Sequence, residues 1–261
     1  MDYGLKEKRA LVTGGTHGIG RAIGLCLAQE GAKVAVFSRS CERVEAMKQE
    51  LEALGGDVIA MVADVMHADA CQNVMDAIVK QWGGIDIVVN NVGGGGRWGS
   101  EHVEETKERV WSEVFEKNTM SAVKFTTWAL PFMRKEKWGR VINITSIFGR
   151  EAGGRPWFAM AKAAQTAMMK TMAKQKELIQ DGVTFNSVAP GAIMIPDTGW
   201  EREMKENSSQ YQAFVDQNLP LGRLGTPEEV AHLVTFICSE KARFLNGASI
   251  PIDGGQSNSI L

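Results

Sequence analysis

Along the chain, short runs of apolar and β-branched residues alternate with longer stretches whose apolar positions recur at helical spacing. Residues 9–12, 34–37, 58–62, 85–89, 141–144, 183–188 and 248–252 read as seven strands. Six have the composition of strands buried on both faces, and the seventh contains Pro251, which suits an edge. Helical period covers 19–31, 41–54, 68–82, 103–134, 157–180 and 227–240. The last of these opens with Thr226-Pro227-Glu228-Glu229, a cap residue, a proline in the first turn and a glutamate three positions on. Strand and helix alternate six times. Right-handed crossovers turn that alternation into an α/β fold, a doubly wound parallel sheet with helices on both faces, in a single domain spanning 1–261. The poorly patterned stretch at about 193–222 is expected to be a flap over the site.

Composition narrows the function classes. Of 261 residues, 44% are hydrophobic and 23% charged, which excludes disordered and collagen-like chains. Lys+Arg 29 against Asp+Glu 31 leaves a net charge of −2, so no global field points to nucleic acid or to an anionic membrane. No apolar stretch approaches the roughly 18 to 20 residues of a membrane span, and the first nine residues are charged where a secretory signal would be apolar. A cytoplasmic protein is expected. Cys26, Cys41, Cys71 and Cys238 are scattered, without the spacing of a disulfide framework or a zinc site, so no metal is expected.

The first strand runs into Thr13-Gly14-Gly15-Thr16-His17-Gly18-Ile19-Gly20, and a helix follows at once. Glycines there let the backbone approach a pyrophosphate, which the amides and dipole of the helix N-terminus stabilise. At this turn the chain resembles the short-chain dehydrogenase/reductase family, whose nucleotide turn is T-G-x-x-x-G-x-G. Asp64-Val65 looks like the family's adenine contact and Asn90-Asn91-Val92-Gly93 like its N-N-A-G segment, with Val in place of Ala. Asn118, Ser146 and Lys162 fall where the family has its helix Asn, its Ser and the Lys of Y-x-x-x-K, while Pro190-Gly191 and Asp253-Gly254-Gly255 match its closing motifs. The resemblance covers the whole chain. It implies a Rossmann-like fold, an oxidoreductase reducing a carbonyl to an alcohol or the reverse, and a homotetramer. It also implies a cofactor site of Gly14, Thr16, His17, Gly18, Ile19, Gly20, Ser38, Arg39, Asp64, Val65, Asn91, Gly93, Lys162, Pro190, Gly191 and Ile193.

Charge at the end of the second strand selects between cofactors. A carboxylate there would bind the ribose hydroxyls of NAD(H), but the chain has Ser38-Arg39, and Arg39 is placed to meet a 2′-phosphate. His17 adds a basic group in the glycine turn, so NADP(H) is preferred over NAD(H).

One position departs from the pattern. Four residues before Lys162, where the family carries the Tyr that exchanges a proton with substrate, stands Phe158. Trp157 and Ala159 beside it have no hydroxyl either, and the chain's tyrosines are Tyr3 and Tyr211, the latter in the flap as a surrogate donor. Loss of a general acid typically costs roughly 10²- to 10⁴-fold in rate. Two accounts of Phe158 stand side by side: a replacement that disables a carbonyl reductase, or a native residue in an enzyme reducing an activated alkene. A third reading is a non-catalytic NADP(H)-binding protein. The loops at the strand ends carry Arg97, Trp98, Phe148, Arg150, Arg155 and Trp157, and the flap adds Met194, Trp200 and Met204. Trp98, Arg150, Arg155, Trp157, Trp200 and Tyr211 are therefore expected to contact a small substrate with an anionic or aromatic part.

Overall fold

A computed structural model describes residues 2–95, 98–100 and 102–260. In chain order the elements are β1 (Arg9–Thr13), α1 (Gly18–Gln29), β2 (Lys33–Ser38), α2 (Cys41–Ala53), β3 (Val58–Val62), α3 (Ala68–Trp82) and β4 (Ile87–Asn90). Then follow α4 (Glu108–Phe115), a π turn (Glu116–Met120), α5 (Ser121–Lys135), β5 (Gly139–Ile144), a 3-10 turn (Ile147–Gly149) and α6 (Pro156–Met172). The chain closes with α7 (Lys176–Gln180), β6 (Val183–Pro190), α8 (Gly199–Glu206), α9 (Ser208–Asn218), α10 (Pro227–Cys238) and β7 (Ser249–Ile252).

The strands form one sheet in the order β3-β2-β1-β4-β5-β6-β7, with every pairing parallel. Alternation along each strand splits the core in two. Ala10 and Val12 of β1 join Val34 and Val36 of β2 beneath α1, α2 and α10, while Leu11, Ala35 and Phe37 face α3, α5 and α6. Chain order reverses direction between β1 and β4, which leaves a crevice at the carboxyl ends of those two strands. Strand β7, with Pro251 in register with Ala189, is an edge strand.

Three predicted stretches differ in detail. The helical period at 103–134 is broken, because Ser121 N donates to the Glu116 carbonyl five residues back and one extra residue enters the turn. The stretch 157–180 is two helices. The first ends at Met172, and the Ala173 carbonyl beyond it accepts from Asn246 Nδ2 at 3.0 Å instead of from a further turn of helix. The region 193–222 is not irregular but holds α8 and α9, whose few apolar residues, Trp200, Tyr211 and Phe214 among them, pack on Val215, Leu219 and Leu224.

The start of α10 is as the sequence specifies. Thr226 Oγ1 accepts from Glu229 N at 3.3 Å, and Glu229 Oε2 accepts from Thr226 N at 2.8 Å. Thr226→Ala is therefore expected to lower unfolding free energy by about 1 kcal/mol, read as a fall in the urea midpoint with an unchanged denaturant slope.

Candidate active site

The carboxyl ends of β1, β2, β4 and β5 open into a cleft of about 810 Å³. At its floor, Thr13 Oγ1 accepts from the backbone N–H groups of Asn91 and Val92 at 2.9 and 3.0 Å, and Asn91 Nδ2 donates to the Thr13 and Gly14 carbonyls. This clamp joins the glycine turn to the loop after β4. Two glycines make it possible: Gly14 has φ +63, and a Cβ on Gly20 would lie 2.4 Å from Asn91 Nδ2. His17 precedes α1 with no side-chain cap on the helix, so its side chain leaves the first amides of α1 unoccupied where Gly18 and Ile19 line the cleft. Gly14, His17, Gly18 and Ile19 line the cleft, whereas Thr16 is buried and, like Gly20, is not part of its wall.

The outer end of the cleft is cationic. Ser38, Arg39, Asp64 and Val65 line it together with Lys117 from the π turn. Burial, followed by repulsion from Arg39, lowers the Lys117 pKa; burial, followed by the field of Arg43, lowers that of His17. Asp64 Oδ1 is engaged by Met66 N at 3.0 Å. The Ser38 hydroxyl is buried with no hydrogen-bond partner among the described residues.

The inner end is built around Lys162. Its side chain lies on α6, buried, and Nζ donates to the Ile144 carbonyl at 2.9 Å and to Gln165 Oε1 at 3.0 Å. Burial, followed by repulsion from Lys117, lowers its pKa to about 7. Gln165 Nε2 donates in turn to the Asn118 carbonyl at 2.9 Å. Asn118, on the π turn, donates through Nδ2 to the Gly94 and Val114 carbonyls and accepts from Gly94 N. A Cβ on Gly93 would meet Asn118 Oδ1 at 2.9 Å and Lys162 Nζ at 3.1 Å, which is why this residue is glycine.

Phe158 lines the cleft, its ring centroid 5.7 Å from Lys162 Nζ. A second cavity of about 390 Å³ shares Ile144, Thr145 and Phe158 with the cleft and adds Ser146, Pro190, Gly191, Ile193 and Trp200. Ser146 Oγ accepts from Phe148 N at 3.2 Å and so caps the 3-10 turn. The structure thus brings Asn118, Ser146, Phe158 and Lys162 to one place.

Several expected contacts lie elsewhere. Trp157 is wholly buried, its Nε1 donating to the Gly95 carbonyl at 3.1 Å and its ring edge-on to Trp111, so it braces the glycine loop from behind and is no substrate wall. Arg150 turns its guanidinium to the Ser249 carbonyl on β7, and Arg155 stands before α6; neither lines the two cavities. Tyr211 packs into the cluster under α8 and α9 and is absent from both walls, so it is not placed as a surrogate for the missing hydroxyl. Tyr3 lies edge-on to Phe236 of α10. Trp98 lines the cleft with Lys117 Nζ 4.9 Å from its ring centroid, and Arg97 lies outside the described residues. Sequence reasoning missed Lys117 and Gln165. Their signals were adjacency to Asn118 and the three-residue spacing from Lys162 that puts two side chains on one helix face.

Comparison with known proteins agrees with this geometry. A family model described as enoyl-(acyl carrier protein) reductase matches residues 14–257. The 3-oxoacyl-(acyl-carrier-protein) reductase FabG of Thermotoga maritima is 34% identical over 252 residues, 96% of this chain and 98% of the relative. That of Vibrio cholerae is 35% identical over 252 residues, with the same coverage. Among solved structures, L-sorbose reductase from Gluconobacter frateurii complexed with NADPH and L-sorbose superposes with a TM-score of 0.90 at 31% identity, covering both chains fully. A single-residue variant of actinorhodin polyketide ketoreductase with NADPH gives 0.87 at 27% identity over 97% of this chain and 98% of that one. With the glycine turn, the Asn91 clamp and the Asn118–Ser146–Lys162 constellation in place on a seven-stranded parallel sheet, the chain belongs to the short-chain dehydrogenase/reductase family.

Proposed function

We propose that the protein is an NADPH-dependent reductase of a small-molecule carbonyl compound, with Phe158 in the position of the proton donor. The observation that carries this reading is a single cleft whose outer end is cationic and whose inner end holds Lys162 beside Phe158, with Ser146 in the adjoining cavity. The cofactor fits on the donor set. Arg39 and Lys117 frame a pocket whose nearest carboxylate, Asp64, is already engaged, and the unpartnered Ser38 hydroxyl adds a polar group for a ribose phosphate. The amides of α1 would take the pyrophosphate, and Val65, Asn91 and Gly93, which line the cleft, would hold the adenosine and nicotinamide halves. Bound there, reduced nicotinamide supplies a hydride to an unsaturated carbon of the substrate. Ser146 holds the carbonyl oxygen, and the Lys162 ammonium favours the negative charge that develops on it. Phe158 and Trp200 supply an apolar wall and exclude water. The NADPH-bound relatives and the ketone-reducing ones support the same chemistry.

A second reading has its own support. With no hydroxyl at position 158, conjugate reduction of an activated alkene is favoured because the final proton goes to carbon, and the family model matched carries an enoyl reductase description. The homotetramer belongs to the proposal too. Trp111, Phe115 and Met160 present an apolar surface on α4 and α6 suited to a second copy.

Two measurements test the assignment. NADPH consumption with L-sorbose, an acetoacetyl thioester and a crotonyl thioester is compared between this protein and Phe158→Tyr. Ketone turnover is expected to rise at least about 10²-fold in the tyrosine variant; crotonyl turnover already present and not raised by the substitution selects alkene reduction instead. In fluorescence titrations, Arg39→Ala and Lys117→Met are each expected to weaken NADPH binding roughly tenfold while leaving NADH within about twofold. Equal losses for both cofactors would remove the 2′-phosphate assignment.

A further inference from the structure

We propose that the substrate is an uncharged ketone whose carbonyl is attached to a flat aromatic ring, and that Trp200 is the residue that selects it. The proposal rests on the carbonyl-reductase reading above and names a substrate class for it. It starts from what lines the cavity that holds Ser146. Beside backbone, that wall consists of apolar side chains and three hydroxyls, and among the described residues no charged side chain is part of it. Lys162 stands in the wall of the neighbouring cleft and not in this one, and Arg150 and Arg155 line neither. An anionic group brought into the cavity would give up its water and meet no cation there. The N-terminus of α8 reaches the cavity through Gly199 and Trp200, and Glu201 in its first turn sets a carboxylate against the positive end of that helix.

The hydroxyls set a second limit. Thr145 Oγ1 donates its proton to the Val188 carbonyl at 3.1 Å, and Thr198 Oγ1 donates to the Ile195 carbonyl at 2.6 Å. Ser146 Oγ accepts from Phe148 N and gives its own proton to no described residue. The side chains of the wall therefore hold one uncommitted O–H, enough for a carbonyl oxygen and too few for the several hydroxyls of a sugar. Each substrate hydroxyl left without a partner there costs roughly tenfold in affinity.

The shape of the wall supplies the ring. Phe158 and Trp200 both line the cavity. Trp200 is held from behind by a tilted stack on Phe214 of α9, ring centroids 4.5 Å apart, within the cluster of Val215, Leu219 and Leu224. Two aromatic side chains on an otherwise aliphatic wall favour a flat π system over a puckered ring. Ile19, Ile144 and Ile195 line cleft and cavity alike, so a nicotinamide reaching in from the cleft takes part of the cavity's 390 Å³ and leaves room for a compact substrate. With an aryl ketone in place, its carbonyl carbon takes the hydride and the C=O π pair moves to the oxygen held by Ser146. A proton from water completes the alcohol, and NADPH leaves as NADP+.

The test compares four ketones that separate charge, hydroxyl content and flatness: acetophenone, 4-acetylbenzoate, L-sorbose and cyclohexyl methyl ketone. Calorimetry gives Kd for each on the NADP+ complex, and NADPH oxidation gives kcat/KM in this protein and in Phe158→Tyr. Acetophenone is expected to bind at least about tenfold tighter than 4-acetylbenzoate or L-sorbose, and about threefold tighter than its saturated counterpart. Trp200→Ala should weaken acetophenone roughly tenfold while Trp200→Phe stays within about threefold, and Trp200→Arg should place 4-acetylbenzoate ahead of acetophenone. NADPH binding reports whether each variant is folded, and the alanine and phenylalanine pair decides the matter should the arginine variant not fold. Tighter binding or faster reduction of L-sorbose or 4-acetylbenzoate than of acetophenone by this protein, or a Trp200→Ala variant that is folded and keeps full acetophenone affinity, overturns the proposal and leaves the reductase reading standing. Acetophenone that binds first in rank but oxidises no NADPH in either form, with the other three ketones equally inert, overturns the reductase reading and the proposal with it.

Discussion

A charge removed from water is tolerated only where fixed oxygens replace its hydration, and the Lys162 ammonium imposes that requirement at the centre of this protein. The Ile144 carbonyl at the end of β5 meets one part of it and Gln165, one turn along α6, meets another. Gln165 is in turn held by the Asn118 carbonyl, and Asn118 by both polar groups of Gly94. One cation thereby fixes a strand end, a helix, the π turn and the loop after β4. Gly93 completes the set by yielding the volume that a side chain would take from Nζ and Asn118 Oδ1.

The loop after β4 serves the other end of the cleft as well. Asn91 clamps the glycine turn through the Thr13 and Gly14 carbonyls, two residues before Gly93 meets Lys162. Beneath it, Asn90 Nδ2 donates to Thr126 Oγ1 and Asn143 Oδ1, and Asn143 reaches the Gln165 carbonyl. A buried polar layer therefore runs from β4 through β5 to α6. These bonds tie the loop that carries the glycine-turn clamp to the strand and helix that hold Lys162, and so set the distance between the two ends of the cleft.

Much of this was legible in the sequence because the determinants are periodic or local. The strand runs, the glycine turn and the Thr226 cap each depend on residues within a few positions of one another, and the resemblance supplied Asn118, Ser146 and Lys162. What escaped is set by orientation or by tertiary contact. Trp157 and Phe158 are neighbours on a helix whose side chains point about 100° apart, and only packing decides that the tryptophan braces Gly95 while the phenylalanine lines the cleft. Gln165 reads as a polar residue in a helix until the Asn118 carbonyl is seen to lie opposite it. The helices α8 and α9 were missed because their apolar residues are few and pack into a small cluster of their own.

The π turn at Glu116–Met120 has a consequence for how this chain can change length. It holds one residue more than an α-helical turn, and that surplus is what directs the Asn118 carbonyl out of the helical ladder and toward Gln165. Removing a single residue here would restore a regular helix and rotate everything beyond it by about 100° relative to α4. Phe125, Ala129 and Met133 would then leave the sheet, while α4 kept its own seat against α6. The segment joining these helices is therefore fixed in length as strictly as the glycine turn is fixed in composition.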